Sequence, residues 1–570
     1  MKSDCLNKQF LIFGLFLAGY LFFSALLSGI YFLIGSSINK TILPLSIILA
    51  YVACKICFSR QKTLRPVLSG ILFIAIAAAI NIFIYDSTFD SIGYHCDIAV
   101  MMADGWNPIY EEPWNGSIWA KHYAKIIETI GASILVITGN VQSIKSVNFI
   151  LWGSTLSIAW YTLSEILPNV SWKWRSAIVF IIASNPVVIR QIVSMYNDYA
   201  IWLETVLLFC SFAMMWKKPD RLASYALLFF TFSFAINSKF THFFYSGLEC
   251  LFFAVWCLIF KRYCILWKGV ITVIAALVAG VLIIGYNPYV LNTVGYGIPT
   301  YPLGTDTVDI MTGNTPDMYA EDNRFVNFFK SLLSLEDSPW AIATGNFSLS
   351  GIRNCYASSM TVNGFGIFMA PMLLLGLALM ALSRAKLKWW IIYLFMFMLS
   401  FCFEQSWWAR YIPFLWFGIV FPVIISFTYN KQHVRLRKYL RYAILILCFV
   451  NAAISLSATI LARLSYTEYI NYIVATQHQI KTPLNVAGLN ITMTQQLKER
   501  DVDFIEYPTP ESLPETDNLF RFFGTNSFDA VIELPAADYP RAYKTPSSFI
   551  DKLIRFDERR YILAQESIPQ

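Results

Sequence analysis

The sequence predicts an α-helical polytopic membrane protein with a small soluble α/β domain at its C-terminal end. Three observations carry this. The 570-residue chain is 57% apolar and only 14% charged, whereas ordinary soluble domains carry about 25% charged residues. Apolar runs long enough to cross a hydrocarbon layer of roughly 30 Å recur between residues 9 and 462. The charge is also uneven: residues 463–570 hold 26 charged residues in 108 positions, while the first 462 hold 32 basic and 21 acidic. The same arithmetic excludes disorder, coiled coil and collagen.

The apolar runs fall near 9–34, 41–58, 67–85, 144–167, 176–193, 199–216, 222–238, 241–260, 269–285, 364–383, 389–403, 411–429 and 442–462, about thirteen spans. The first is too long for a removed signal peptide and lacks a small-residue cleavage site, so it is read as a retained span. Orientation follows from basic residues in short loops. Lys2/Lys8, Arg60/Lys62/Arg65, Lys173/Arg175, Lys217/Lys218/Arg221, Lys261/Arg262/Lys268, Arg384/Lys386/Lys388 and Lys431/Arg435/Arg437/Lys438/Arg441 all fall on one side if thirteen spans are counted. The N-terminus is then cytoplasmic, and segments 86–143, 286–363 and the tail from 463 lie on the far side. The net charge of +7 comes from these clusters. A nucleic-acid partner would need a basic stripe on a soluble module, and the tail is net negative.

Most of the eleven cysteines lie inside spans, where a thiol packs as a small apolar group. Cys54 and Cys57 form a C-x-x-C with no second pair to complete a zinc site. Cys96 and Cys355 both fall in outer segments, where a disulfide is permitted. The five histidines show no metal-ligand spacing, and the chain has no Walker lysine motif, Gly-rich strand-to-helix turn or G-x-S-x-G elbow. An ATP-driven pump or soluble nucleotide-sugar enzyme is poorly supported. A substrate presented from the membrane, already activated, fits better.

The chemistry is expected in the outer segments. The first carries Asp86, Asp90, Tyr94, His95, Asp97 and Asp104 at the mouth of the third span. Ile92–Ala103 suits a helix ended by Gly105 and Pro108, with His95 and Ala99 on one face. Asp90 stands at or just before its start, where it is either an N-cap or a partly desolvated general base for an incoming hydroxyl. Asp86 is the alternative base, and Asp97 and Asp104 are read as solvated interfacial acids. Residues 117–139 suggest a helix lying on the membrane surface. The second segment, with Asn292, Tyr296 and Tyr301 among Gly and Pro, suits either a loop that stacks rings on sugar faces or an irregular lid. Glu321 and Arg324 follow, starting a short helix over 325–335. Arg190, Asn197-Asp198, Asn237/Lys239/His242 and Glu404…Arg410 sit at span mouths of the same face. Polar groups there are costly and often functional. Arg410, Lys239 and Arg190 are expected to hold an anionic lipid phosphate, Arg in bidentate fashion and Lys as a point charge. Singly, each could instead snorkel to lipid phosphates.

The order of these motifs resembles the GT-C superfamily of polytopic glycosyltransferases, in particular the bacterial protein O-mannosyltransferase and aminoarabinose-transferase branch. The similar features are Asp90 with Tyr94-His95 and Gly105-Trp106-Asn107-Pro108, then Asp198, Lys239-Phe240-Thr241, Asn292–Pro302 and Arg410-Tyr411-Ile412-Pro413, covering roughly residues 60–425. Two spans precede the one leading into the first loop, where the family usually has none, and the family's frequent adjacent acid pair is absent unless Asp86 and Asp90 replace it. The resemblance implies a GT-C-like fold and transfer of a sugar from a polyprenyl-phosphate donor to a hydroxyl on a glycan, lipid or protein. It implies Asp90 (or Asp86) as base and Arg410, Lys239 and Arg190 at the phosphate. Tyr94, His95, Asp198, His242, Asn292, Tyr296, Tyr301 and Glu404 would contact substrate. A divalent cation is left open, and the expected location is a bacterial inner membrane. The rivals are a flippase of lipid-linked saccharides, which usually shows repeated halves, and a polymerase or ligase with a diphosphate-linked donor. The tail is expected to begin helically over Arg463–His478, with strands near 529–534 and 560–565. Asn115, Asn346 and Asn490 start glycosylation sequons.

Overall fold

The computed structural model describes residues 2–59, 61–86, 88–305, 315, 319–320, 322–334, 363–428, 433–509, 512–514, 519–521 and 531–533. The chain is mostly helical. It opens with α1 (Lys2–Leu33), α2 (Ile42–Cys57) and α3 (Leu64–Ile82), and the segment after α3 holds α4 (Cys96–Ala103), α5 (Ile118–His122) and α6 (Ile126–Thr138). There follow α7 (Ser146–Ile166), α8 (Trp172–Ala183), α9 (Pro186–Gln191), α10 (Asp198–Lys217), α11 (Leu222–Ser238), α12 (Phe240–Ile259), α13 (Tyr263–Ala279) and α14 (Leu291–Tyr296). The remaining helices are Arg324–Leu333, Met369–Leu382, Leu387–Leu399, Phe417–Ile425, Val434–Ile480 and Ile491–Lys498.

Among the described residues six helical stretches are long and apolar enough to cross a membrane: Leu6–Leu33, Leu64–Ile82, Asp198–Lys217, Phe240–Ile259, Tyr263–Ile284 and Val434–Ile460. Six shorter apolar helices accompany them. These are the features of an α-helical multi-pass membrane protein. Thirteen crossings go beyond what the helix lengths show. The expected span at 176–193 is two pieces, α8 and α9, broken where the Asn185 side chain accepts from the Val187 N–H at 3.0 Å and Pro186 takes the first helical position.

Members of four of the basic clusters meet at one end of the bundle. Lys218 and Arg221 reach Glu165 at 3.0 and 3.5 Å, and Lys268 reaches Asp220 at 2.8 Å. Arg175 lies over Trp160, and Arg441 over Trp174. At the bundle's centre α1 packs on α7, α2 and α3 through a nearly continuous buried face, Leu11 to Phe22. Small residues permit the approach: a Cβ on Gly153 would meet the Phe73 ring at 2.6 Å.

Two expectations change here. Residues 126–138 do not lie on a surface; Ile126–Leu135 are all buried, packed on α4 and α1. The boundary at 463 falls inside one 47-residue helix, Val434–Ile480, which continues well past its apolar stretch. The C-terminal domain follows it, with β1 (Leu484–Ala487), β2 (Phe504–Tyr507), β3 (Leu519–Arg521) and β4 (Val531–Glu533) in the order β2-β1-β4-β3. β1 and β2 are parallel; β4 pairs antiparallel with β1 and β3, with Val486 opposite Ile532. The strand expected near 529–534 is β4, and the one near 560–565 lies outside the described residues, as do Glu321, Asn346 and Cys355. Cys96 is a buried free thiol. Cys54 is buried against the Ile12 carbonyl, as a packing residue.

The domain is docked onto the segment that follows α3. Tyr85 and Ile92 share an apolar cluster with Ile470, Val486, Met493, Leu497 and Ile532. Asn490 donates to the Ile92 carbonyl at 2.7 Å while capping the Ile491–Lys498 helix, so its sequon amide is already engaged. Asp97, expected to be solvated, is buried and accepts from the Thr492 N–H at 2.8 Å and hydroxyl at 2.5 Å. Burial pushes its acid from the ordinary 3.8 up to about 6, against the Thr492 hydrogen bonds. A raised acid favours the docked state in its protonated form. That contribution is complete below the ordinary carboxylate value and is lost as pH rises through about 6. Hydrogen-exchange protection of Met493–Lys498, corrected for intrinsic rates, should therefore fall across that window, and Asp97→Asn should flatten the fall. Equal pH profiles for the two proteins would contradict it.

Candidate functional site

Three interruptions of helical structure build the site at the end of the bundle opposite the basic clusters. After the break at Asn185, the short helix α9 ends at Gln191, and the turn that follows leads to Asp198, the first residue of α10. Between α11 and α12 a single residue, Lys239, is extended at φ −161°, ψ 143°. After Trp407-Trp408 a tight turn over Ala409–Tyr411 carries Arg410.

These side chains converge on Asp198, which is fully buried. One carboxylate oxygen takes the Lys239 ammonium. The other accepts from Arg410 Nε at 2.8 Å and Gln191 Nε2 at 2.9 Å. Arg410 then reaches outward, Nη2 meeting Asp90 Oδ2 at 2.6 Å. Its guanidinium lies over Tyr196 and Trp408, 4.7 and 5.1 Å from the ring centroids, and Lys239 lies 4.3 Å over Tyr411. Burial opposes the Arg410 charge, but Asp198 and Asp90 raise its pKa well above the ordinary value. Two cations and two carboxylates form a balanced cluster, the condition under which buried charge is tolerated. Exposure grades outward: the side chains of Asp198, Lys239, Arg410 and Asp90 are 0%, 5%, 10% and 17% accessible. Asp90 is thus the acid an incoming molecule meets first. It does not cap the helix that follows it; no side-chain cap bond forms, and its own N–H donates to the Tyr196 hydroxyl at 3.3 Å.

The other expected site residues divide by position. Asp86 is buried and saturated: Arg463 lies 2.5 Å away, Ser91 Oγ donates to it, Thr88 donates its N–H and hydroxyl at 3.0 and 2.8 Å, and the Met195 N–H donates at 3.3 Å. It fixes the segment that carries Asp90 and has no acceptor capacity left for a substrate proton. Arg190 faces the long Val434–Ile480 helix, donating to Thr459 at 3.3 Å, while its neighbour Gln191 turns to Asp198. Tyr94 lies on His95, ring centroids 4.0 Å apart, and His95 Nδ1 pairs with buried Glu128. His242 pairs with Glu204 inside the bundle, behind Lys239. Glu404 is exposed and makes no hydrogen bond or ion pair with the cluster among the described residues. Asn292 holds its own loop rather than facing outward, its Nδ2 donating to the carbonyls of His122, Pro299 and Tyr301 and its Oδ1 accepting from His122 Nδ1 at 2.8 Å. Tyr296 and Tyr301 stack with centroids 3.8 Å apart, and the His122 ring stands edge-on to both.

Sequence reasoning missed Gln191, Tyr196, His122 and Lys125. The Asn-Pro break was a legible sign that residues around 190 leave the span, without saying which side chain turns inward. Lys125 is buried beside Asn287, whose Oδ1 it reaches at 2.5 Å. Burial pushes its ammonium down to about 7, with Glu128 acting in the opposite direction. No group of three His, Cys, Asp or Glu residues is spaced to hold a metal ion among the described residues. At the cluster itself a divalent ion would compete with Arg410 and Lys239 for the two acids. No protein-family model, curated protein or solved structure matches the chain.

Removing Asp198 leaves buried Lys239 without a counter-ion and Arg410 with Asp90 alone. Asp198→Ala should cost about 3–5 kcal/mol in detergent-unfolding titrations, and Asp90→Ala, at the open edge, markedly less. Equal stability of the Asp198 variant and the parent protein would contradict the cluster as described.

Proposed function

We propose that the protein is a membrane glycosyltransferase, moving a sugar from a polyprenyl-phosphate donor to a hydroxyl-bearing glycan, lipid or protein with inversion at the anomeric carbon. The observation that carries this reading is Arg410, anchored on buried Asp198 and bridged to the partly exposed Asp90. Its Nη1 donates to no residue among the described ones, so part of its donor fork is open to an anionic ligand. A phosphate is the natural ligand for a planar guanidinium fork. Arriving there, it competes with Asp90 for the same group.

The base is thus uncovered when the donor is in place. Asp90 then takes the proton of the acceptor hydroxyl as that oxygen bonds to the anomeric carbon. The bond from the anomeric carbon to the phosphate oxygen breaks, and its electron pair leaves with the polyprenyl phosphate. Arg410 and, behind it, Lys239 offset the charge that develops on the leaving group. The neighbouring Tyr296/Tyr301/His122 group offers ring faces for a sugar. The expected setting is a bacterial inner membrane with this end of the bundle extracytoplasmic. The polar residues gather at one end of the bundle, which favours transfer at a surface over passage through a central cavity.

With purified protein and a labelled polyprenyl-phosphate sugar, Asp90→Asn should lower turnover by about 10²–10⁴-fold while leaving donor binding largely intact. Arg410→Lys keeps the charge but cannot bridge two carboxylates, so it should weaken donor binding as well as turnover. Full transfer by Asp90→Asn, or transfer only from a diphosphate-linked donor, would contradict the assignment.

A further inference from the structure

At the end of α3 away from Asp86, one turn gathers its cations around a groove. α3 has 19 residues, a length of about 28 Å, so this turn is remote from the site above. Lys55 in the last turn of α2, Lys62 in the connection and Arg65 in the first turn of α3 line one groove of about 670 Å³. Lys218 and Arg221 at this end pair with Glu165, and Lys268 with Asp220. Lys55, Lys62 and Arg65 form no ion pair among the described residues, and no carboxylate lines their groove. Thr63, at its base, is fully buried with a hydroxyl that has no hydrogen-bond partner. The groove continues along α3 past Leu68 and Leu72, which are 54% and 60% exposed.

Three unneutralised cations, an orphaned buried hydroxyl and an adjoining leucine wall complement an amphiphile with an anionic head and an acyl chain. We propose that this groove binds one anionic phospholipid, its phosphate held by Lys55, Lys62, Arg65 and the Thr63 hydroxyl and its chain lying along Leu68 and Leu72. Snorkelling to bulk lipid explains cations spread around a bundle. It does not explain their convergence on one recess over an unsatisfied buried donor. The bound lipid would tie α2 to α3, both of which pack on the central α1.

Native mass spectrometry of the delipidated full-length protein tests this, with palmitoyl-oleoyl phosphatidylglycerol or the phosphatidylcholine of the same chains as the probe. One phosphatidylglycerol should be retained per chain in preference to phosphatidylcholine. Lys55→Gln/Lys62→Gln/Arg65→Gln should weaken retention roughly a hundredfold, at about tenfold or less per cation, whereas Lys261→Gln/Arg262→Gln, at the same end of the bundle, should leave it unchanged. Equal retention of the two lipids, or a folded triple variant that still retains phosphatidylglycerol, overturns the proposal. If the triple variant does not fold, Thr63→Val decides, since it changes no charge: several-fold weaker retention supports the site and unchanged retention overturns it.

Discussion

Arg410 is buried between two carboxylates, and the rest of this end of the bundle is arranged to keep it there. An unpaired guanidinium at that depth would cost several kcal/mol, so Asp198 must reach it from the start of α10. Lys239 must in turn balance the second oxygen of Asp198. Neither residue could do so from inside a regular helix. The extended residue between α11 and α12 places Lys239, and the turn between α9 and α10 places Asp198 at the same point. Asp90 depends on a second, separate tie: Asp86, Ser91 and Arg463 lock the segment that presents it. The C-terminal domain holds that segment from the other side through Ile92 and Asp97.

Much of the fold is legible in the sequence because lipid and water impose different compositions, and apolar runs report the former directly. The failures have the same origin. Composition changes near 463 because the helix leaves the apolar stretch there, yet the helix itself continues to Ile480. A boundary drawn from charge density therefore marks a change of surroundings and not an end of secondary structure. The α6 segment looks like a surface helix because Lys125 and Glu128 mark a polar face. That face meets Asn287 and His95 inside the protein, not water.

The candidate site was legible through sidedness more than through motifs. Alternation of basic loops put Asp90, Asp198, Lys239 and Arg410 at one end, and they meet there. The sequence favours Asp90 over Asp86 by its place at the mouth of the span, but it does not reveal that Asp86 is paired with Arg463 of the last long helix. Arg190 and Gln191 are adjacent on a six-residue helix, too short for a periodic pattern to fix which one turns inward. Asn292, Tyr296 and Tyr301 carry the right chemistry for a sugar. Of these, Asn292 is engaged in holding its loop, while Tyr296 and Tyr301 stack on each other.

The central claim is that donor phosphate and Asp90 compete for one guanidinium. A structure of the purified protein with polyprenyl phosphate bound measures this directly. The account predicts the phosphate on Arg410, still anchored to Asp198, with the Asp90 carboxylate released from Nη2 and open to the acceptor side. A phosphate bound elsewhere, or one bound while the Arg410–Asp90 bridge stays intact, would contradict it.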